Sequence, residues 1–168
     1  MPDNIAPRPK WEADYARAIV EKALSVGTAD ALTVRFVMRE DGATRFAVSD
    51  ITQNVVRHDA AVQVKAAYDS RVGTASTNRL DDEAIADCVR RAEATARVAP
   101  PDPEYMPPVP PAAAPSLDLW RDSTRNASPA DRAEAVQRIV AAADREDLTA
   151  SGAISTSAIA VAGGNSAG

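Results

Sequence analysis

The chain has one histidine, His58, and one cysteine, Cys88. A hydrolytic zinc centre takes three protein ligands, usually with two histidines among them. A cysteine nucleophile needs a base held beside it, and no local signature accompanies either residue. One imidazole and one thiol on different elements cannot build the zinc centre, and they make the cysteine–histidine pair only a formal option. His58 beside Asp59 reads as a solvated turn residue, or else as a contact to another domain. Cys88 falls on an apolar stripe and reads as a buried, inert thiol. Asp81, Asp82 and Glu83 form an acidic triplet that could support acid–base work, but a helix start explains all three. The stretch Gly73-Thr74-Ala75-Ser76-Thr77-Asn78 is small and polar. It holds one glycine, so it is the end of a strand leading to a helix cap and not a phosphate loop. Arg45, Arg57 and Arg71 read as a solvated sheet face. The residues alone therefore assign no catalytic, cofactor-binding or metal-binding position.

Composition narrows the class. The 168 residues suffice for one domain, or one domain and part of another. Hydrophobic residues make up 45% and charged residues 26%, a globular balance. Aromatics are only 4%, so the core must come from Ala, Val, Ile and Leu. A net charge of −5 with scattered Lys and Arg argues against nucleic acid as a direct partner. No stretch is long and apolar enough for a membrane span, and no secretory leader is visible, so a cytoplasmic location is expected.

Alternation dominates the stretch from Ala43 to Asn78. Phe46 and Val48 share one parity, as do Val62, Val64, Ala66 and Tyr68, with Gln63 and Lys65 opposite. A preceding strand is expected over 30–40, with Leu32, Val34, Phe36 and Met38 on one side and Thr33, Arg35 and Arg39 on the other. Turns are expected at Asp41-Gly42 and Asp69-Ser70. Trp11, Tyr15, Ile19, Ala23 and Val26 recur at helical spacing and stop at Gly27. A second helix is expected over 82–98, capped by Asp81 and stapled by Leu80 and Ile85. Ile85, Cys88, Val89, Ala92 and Ala96 lie inward, while Arg90, Arg91, Glu93 and Arg97 stay wet. Eight prolines between Pro100 and Pro115 exclude helix and central strand, and Tyr105 and Met106 could dock back on the preceding domain. Ser128-Pro129-Ala130-Asp131 opens a further helix that buries Ala133, Val136, Ile139, Val140 and Ala143. The last strand-like stretch, Leu148 to Val161, is expected to stay unpaired, and the chain reads as truncated.

The expected fold is α+β: an antiparallel or mixed sheet with helices packed on one face, a proline-rich connector, then the start of a second unit. The boundaries are 1–10 for a flexible leader, 11–99 for the α+β domain, 100–116 for the connector and 117–168 for the helix and strand of the further unit.

Some phrases are more specific than their composition. Arg45-Phe46, Ile51-Thr52-Gln53-Asn54, the run Arg71-Val72-Gly73-Thr74-Ala75-Ser76-Thr77-Asn78 and Ala99-Pro100-Pro101-Asp102-Pro103-Glu104-Tyr105 resemble the N-terminal domain of the TldD/PmbA family. That family is also called modulator of DNA gyrase. The passage from Ala150-Ser151-Gly152 to Asn165-Ser166-Ala167-Gly168 is similar to the family's approach to its C-terminal half. The resemblance implies a zinc metallopeptidase or its non-catalytic partner, acting on unfolded peptides. It places zinc and an HExxxH helix in the C-terminal half, so no site residue carries over to this chain. It also implies a homo- or hetero-dimer with a TldD/PmbA-type subunit, the exposed sheet face and the 43–78 loops meeting a partner or a peptide. Two functions follow: an N-terminal scaffold or dimerisation domain without a catalytic centre of its own, or a stand-alone module binding peptide or protein, the sheet taking an extended peptide along a free edge.

Overall fold

In β1 (Ala31–Ala47), Leu32, Val34, Phe36 and Met38 all face one way and are buried, because a strand's period of two sends alternate residues to one side. The computed structural model describes residues 13–110, 112, 113, 115 and 117–167. The expected leader and Trp11 lie outside them. The elements run α1 (Ala13–Val26), β1, β2 (Asp50–Tyr68), β3 (Arg71–Thr77), α2 (Asp82–Val98), α3 (Asp122–Arg125), α4 (Pro129–Asp144) and β4 (Gly152–Asn165). The strands form one four-stranded antiparallel sheet in the order β3-β2-β1-β4, with helices packed around it, an α+β fold.

Two compact units share these strands. The first takes the described residues within 1–38, 59–115 and 160–168. Its core joins Ile19, Val20 and Ala23 of α1 and Ile85, Cys88, Val89, Ala92 and Ala96 of α2 to the inward residues of β1 and to Val62, Val64 and Ala66 of β2. The helix α2 forms where the cap, the staple and the stripe agree. Asp81 accepts the Ala84 N–H at 3.0 Å, Asp82 and Glu83 occupy the positive end, and Leu80 packs against the core. Gly73 makes its contact with the sheet possible. A Cβ there would run into the Ala92 carbonyl oxygen and the Ala96 nitrogen, so only glycine lets helix and strand approach this closely. The turn at Asp69-Ser70 is as expected, with Asp69 at φ 50°, and it sets the register Tyr68↔Arg71 through Val62↔Thr77. Glu93 departs from expectation. It is buried, and its carboxylate accepts the Ala29 N–H at 2.9 Å and the Thr28 hydroxyl, satisfying backbone just beyond α1.

The second unit takes 39–58 and the described residues of 116–159. Here Asp41-Gly42 is not a turn; β1 runs straight through it. Asp41 accepts from Arg39 Nε at 2.8 Å and from the Ser157 hydroxyl at 2.8 Å, which anchors it within the sheet. The reversal falls instead at Val48-Ser49, both with positive φ, 52° and 59°. A two-residue hairpin with that geometry normally uses Asn-Gly. This one is fixed from outside: Val48 N–H donates to Ser151 Oγ (3.2 Å), Ser49 N–H to Ala150 O (2.9 Å), and Ala150 N–H to Ser49 Oγ (3.3 Å). Val48 is accordingly 77% exposed and not part of the Phe46 face. The helix α4 starts where expected, with a complete capping box between Ser128 and Asp131 and Pro129 at its first turn. Of its expected inner residues only Val136 is fully buried, and Arg132 is buried beside it. The strand β4 was expected to be unpaired, but it pairs with β1. Its run of Ile, Ser, Thr, Ala and Val suits a pleated surface, and β1 supplies the ladder.

Candidate functional site

Two polar arrangements stand out, one in each unit. In the second unit Arg132 is only 3% exposed. A guanidinium offers five N–H donors and cannot lose its charge, so burial demands acceptors. Arg132 finds them in Thr44 Oγ1 (3.3 Å), Asn54 Oδ1 (3.3 Å), Thr156 Oγ1 (3.3 Å) and the Ala127 carbonyl (3.3 Å). Thr44 in turn donates to Asn54 Oδ1 at 3.0 Å, and Asn54 Nδ2 donates to the Pro129 carbonyl at 3.1 Å. The guanidinium lies over Gly42, where a Cβ would come within 2.6 Å of its Cζ. Nearby, Glu40 accepts from Arg125 Nη1 at 2.9 Å on Oε1, while Oε2 stands 3.0 Å from His58 Nδ1 and receives no hydrogen bond. His58 therefore sits within β2 with its side chain 32% exposed, not in a solvated turn. A strand, not a loop, carries it because β1 and β2 remain paired past Asp41-Gly42.

The first unit presents the other arrangement on its uncovered sheet face. Register places Gln63 opposite Ser76 and Lys65 opposite Thr74. Arg35 Nη1 reaches Gln63 Oε1 at 3.5 Å. Arg35, Gln63 and Ser76 thus make a row across three strands, and together with Thr33, Lys65 and Thr74 they line an open groove of about 440 Å³. The connector lies beside this groove at Thr33 and Lys65. Tyr105 packs near Lys65, whose ammonium lies 5.8 Å from the ring centroid, and Met106 and Pro108 line the adjoining cleft. Tyr105 is half-buried there as the docking expectation requires, whereas Met106 remains 80% exposed. The connector also bridges Pro101 to Arg71, and its Asp102 N–H donates to Ser70 O at 2.9 Å. At the other end of β3, Arg91 Nη2 donates to Ser76 O at 3.0 Å. Both ends of that sheet edge are thereby occupied.

The remaining sequence candidates are placed as follows. Cys88 is wholly buried in the core, and that burial raises its thiol pKa. Asp81 caps α2, and its bond from the Ala84 N–H holds its carboxyl below the usual range; Asp82 pairs with Lys22. Residues 73–77 belong to β3. Arg45, Arg57 and Arg71 are exposed and are not brought together into one site. The described residues contain no group of three His, Cys, Asp or Glu side chains able to hold a metal. His58 faces Glu40, whose second oxygen Arg125 occupies, so this cluster does not fit a zinc site. No helix among the described residues is long and apolar enough to cross a membrane. Arg132, Glu40 and Glu93 were not singled out as site residues. The signal for Arg132 was Gly42, a glycine inside an alternating run, which marks a close approach as readily as a turn.

Residues 32–96 match the family model described as PmbA/TldA metallopeptidase domain 1. Among solved structures, TldE from Thermococcus kodakarensis superposes with a TM-score of 0.81 at 19% identity, covering 90% of this chain and 35% of its own. A proposed modulator of a DNA gyrase from Thermotoga maritima gives a TM-score of 0.75 at 14% identity, covering 90% and 35%. A similar protein from Bacteroides thetaiotaomicron gives 0.75 at 17%, covering 92% and 36%. These likenesses establish a shared fold, and the chain spans about a third of the length of each. No curated protein sequence matches the chain.

Proposed function

We propose, from the match of residues 32–96 to the first domain of the PmbA/TldA metallopeptidases, that this chain is the N-terminal scaffold and dimerisation domain of a TldD/PmbA-type metallopeptidase. The observation that carries this reading is the match of the fold to TldE at a TM-score of 0.81, over 90% of the chain. In this reading, hydrolysis of unfolded peptides and the zinc that supports it belong to the C-terminal half of a longer product or of a paired subunit. The residues described here bind no zinc and perform no bond cleavage. They supply a rigid sheet, a hairpin tip clamped at Ser49 and Ala150, and surfaces for a partner subunit in a homo- or hetero-dimer. A cytoplasmic setting and no direct contact with nucleic acid complete the proposal. The charge of −5 supports the latter.

A second reading, a stand-alone module that takes an extended peptide on a sheet edge, is supported by β4. It ends the sheet order and carries no charged side chain from Gly152 to Asn165, and charge is one of the usual edge protections. The β3 edge supports it less, being occupied at both ends.

The coding region past Gly168 separates the two. A continuation or an adjacent frame encoding an HExxxH helix, whose purified product cleaves unfolded casein and loses activity with a chelator, is the expected result. A stop directly after Gly168 with no such frame nearby would contradict the scaffold reading.

A further inference from the structure

The groove on the uncovered face of the first unit has an unusual balance of charge for an acidic chain. Its lining includes two cations, Arg35 and Lys65, three hydroxyls and one amide, and no carboxylate. All six polar residues are exposed. A third cation, Arg91, sits at the rim and is already paired with Asp87 at 3.0 Å. Among the described residues Arg35 has a long bond to Gln63, and Lys65 the face of Tyr105.

We propose that this face docks an extended, acidic segment of a partner polypeptide. Charge complementarity selects the occupant. A carboxylate over Arg35 accepts a bidentate pair, and one over Lys65 accepts a point-charge contact. The hydroxyls of Thr33, Thr74 and Ser76 and the amide of Gln63 suit backbone groups of an extended chain laid across the strands. Tyr105 of the connector stands beside Lys65 in the adjoining cleft, an aromatic neighbour for the end of the segment that meets Lys65. Side chains held in register by three paired strands are a preorganised platform, which lowers the ordering cost of binding. The inference rests on the reading of this chain as a surface for a partner and names the chemistry of the segment; its test reads peptide binding and not zinc or cleavage, so the two fail distinguishably.

The test uses fluorescence anisotropy of the 168-residue protein with labelled short peptides of alternating Glu and Ser, and of alternating Gln and Ser. At low salt the Glu peptide should bind about tenfold or more tightly than the Gln peptide, and salt should weaken it. The double variant R35E/K65E should lose that binding while keeping the circular dichroism spectrum and unfolding midpoint. The variant R17E/R138E makes the same change in net charge at two exposed ion pairs elsewhere, and it should bind like the parent. Equal binding of both peptides would overturn the proposal, as would undiminished binding by R35E/K65E or equal loss in R17E/R138E. Displacement of the Glu peptide by inorganic phosphate or a single-stranded oligonucleotide at matched charge would show a general anion site, and would overturn the assignment to a polypeptide.

Discussion

Arg132 lies over Gly42, its guanidinium occupying the space where any other residue would place a Cβ. Gly73 stands in the same relation to the backbone of α2. The two glycines differ in what they face, a side-chain end in one case and a helix backbone in the other. Gly42→Ala is expected to cost about 1 kcal/mol, because the Arg132 head can shift while losing part of its hydrogen bonding. Gly73→Ala must push α2 off the sheet and should cost about 3 kcal/mol. Urea unfolding of both variants checks the order. A larger loss at Gly42 would mean that the guanidinium is held more rigidly than its four neutral acceptors suggest.

The Val48-Ser49 turn should be improvable. A β-branched residue at φ 52° carries a steric penalty, and Val48 buries little surface to offset it. Val48→Asn keeps the backbone N–H that donates to Ser151 and should stabilise the fold by about 1 kcal/mol. Thermal unfolding reads this as a raised midpoint. A fall would show that the valine side chain has packing that its exposure conceals.

Acid should weaken the caps. Hydrogen bonds from the Ser128 backbone and hydroxyl depress the Asp131 carboxyl, the Ala84 N–H depresses Asp81, and Arg39 with Ser157 depresses Asp41. Each folded pKa lies below its unfolded value. The stability they contribute is therefore complete above about pH 4 and is lost as pH falls through the lower, folded values. Asp131→Asn should flatten the loss of stability on going from pH 5 to pH 2, measured by urea midpoints. An unchanged acid slope would mean that the capping box contributes nothing to linkage.

Cys88 should be silent in the native state. Burial both shields the thiol and raises its pKa. Labelling with a disulfide reagent at pH 8 should proceed at the rate of unfolding and accelerate in urea. Immediate stoichiometric labelling in buffer would show that α2 opens locally.

The sequence was most legible where several local signals agreed. The bounds of α2 could be read because Asp81, Leu80 and the apolar stripe all specify them, and Asp69-Ser70 has turn chemistry of its own. Asp41-Gly42 carries the commonest hairpin signature and is nonetheless strand. Its glycine serves a neighbour distant in sequence, and the true reversal at Val48-Ser49 is imposed by Ala150 and Ser151. The candidate surfaces were legible only in part. Alternation put Thr33, Arg35, Gln63 and Lys65 on an outer face, but their arrangement across the strands depends on pairing register. Arg132, Glu40 and Glu93 are charged residues that tertiary hydrogen bonding makes tolerable inside, and no local pattern announces that.

The central claim is that peptide cleavage belongs to residues outside these 168. Metal analysis and a casein-hydrolysis assay on the purified chain, after equilibration with zinc and removal of loosely held ion, test it most directly. The expected result is far less than one zinc per chain and no cleavage above buffer. Stoichiometric, tightly held zinc together with chelator-sensitive cleavage would contradict it.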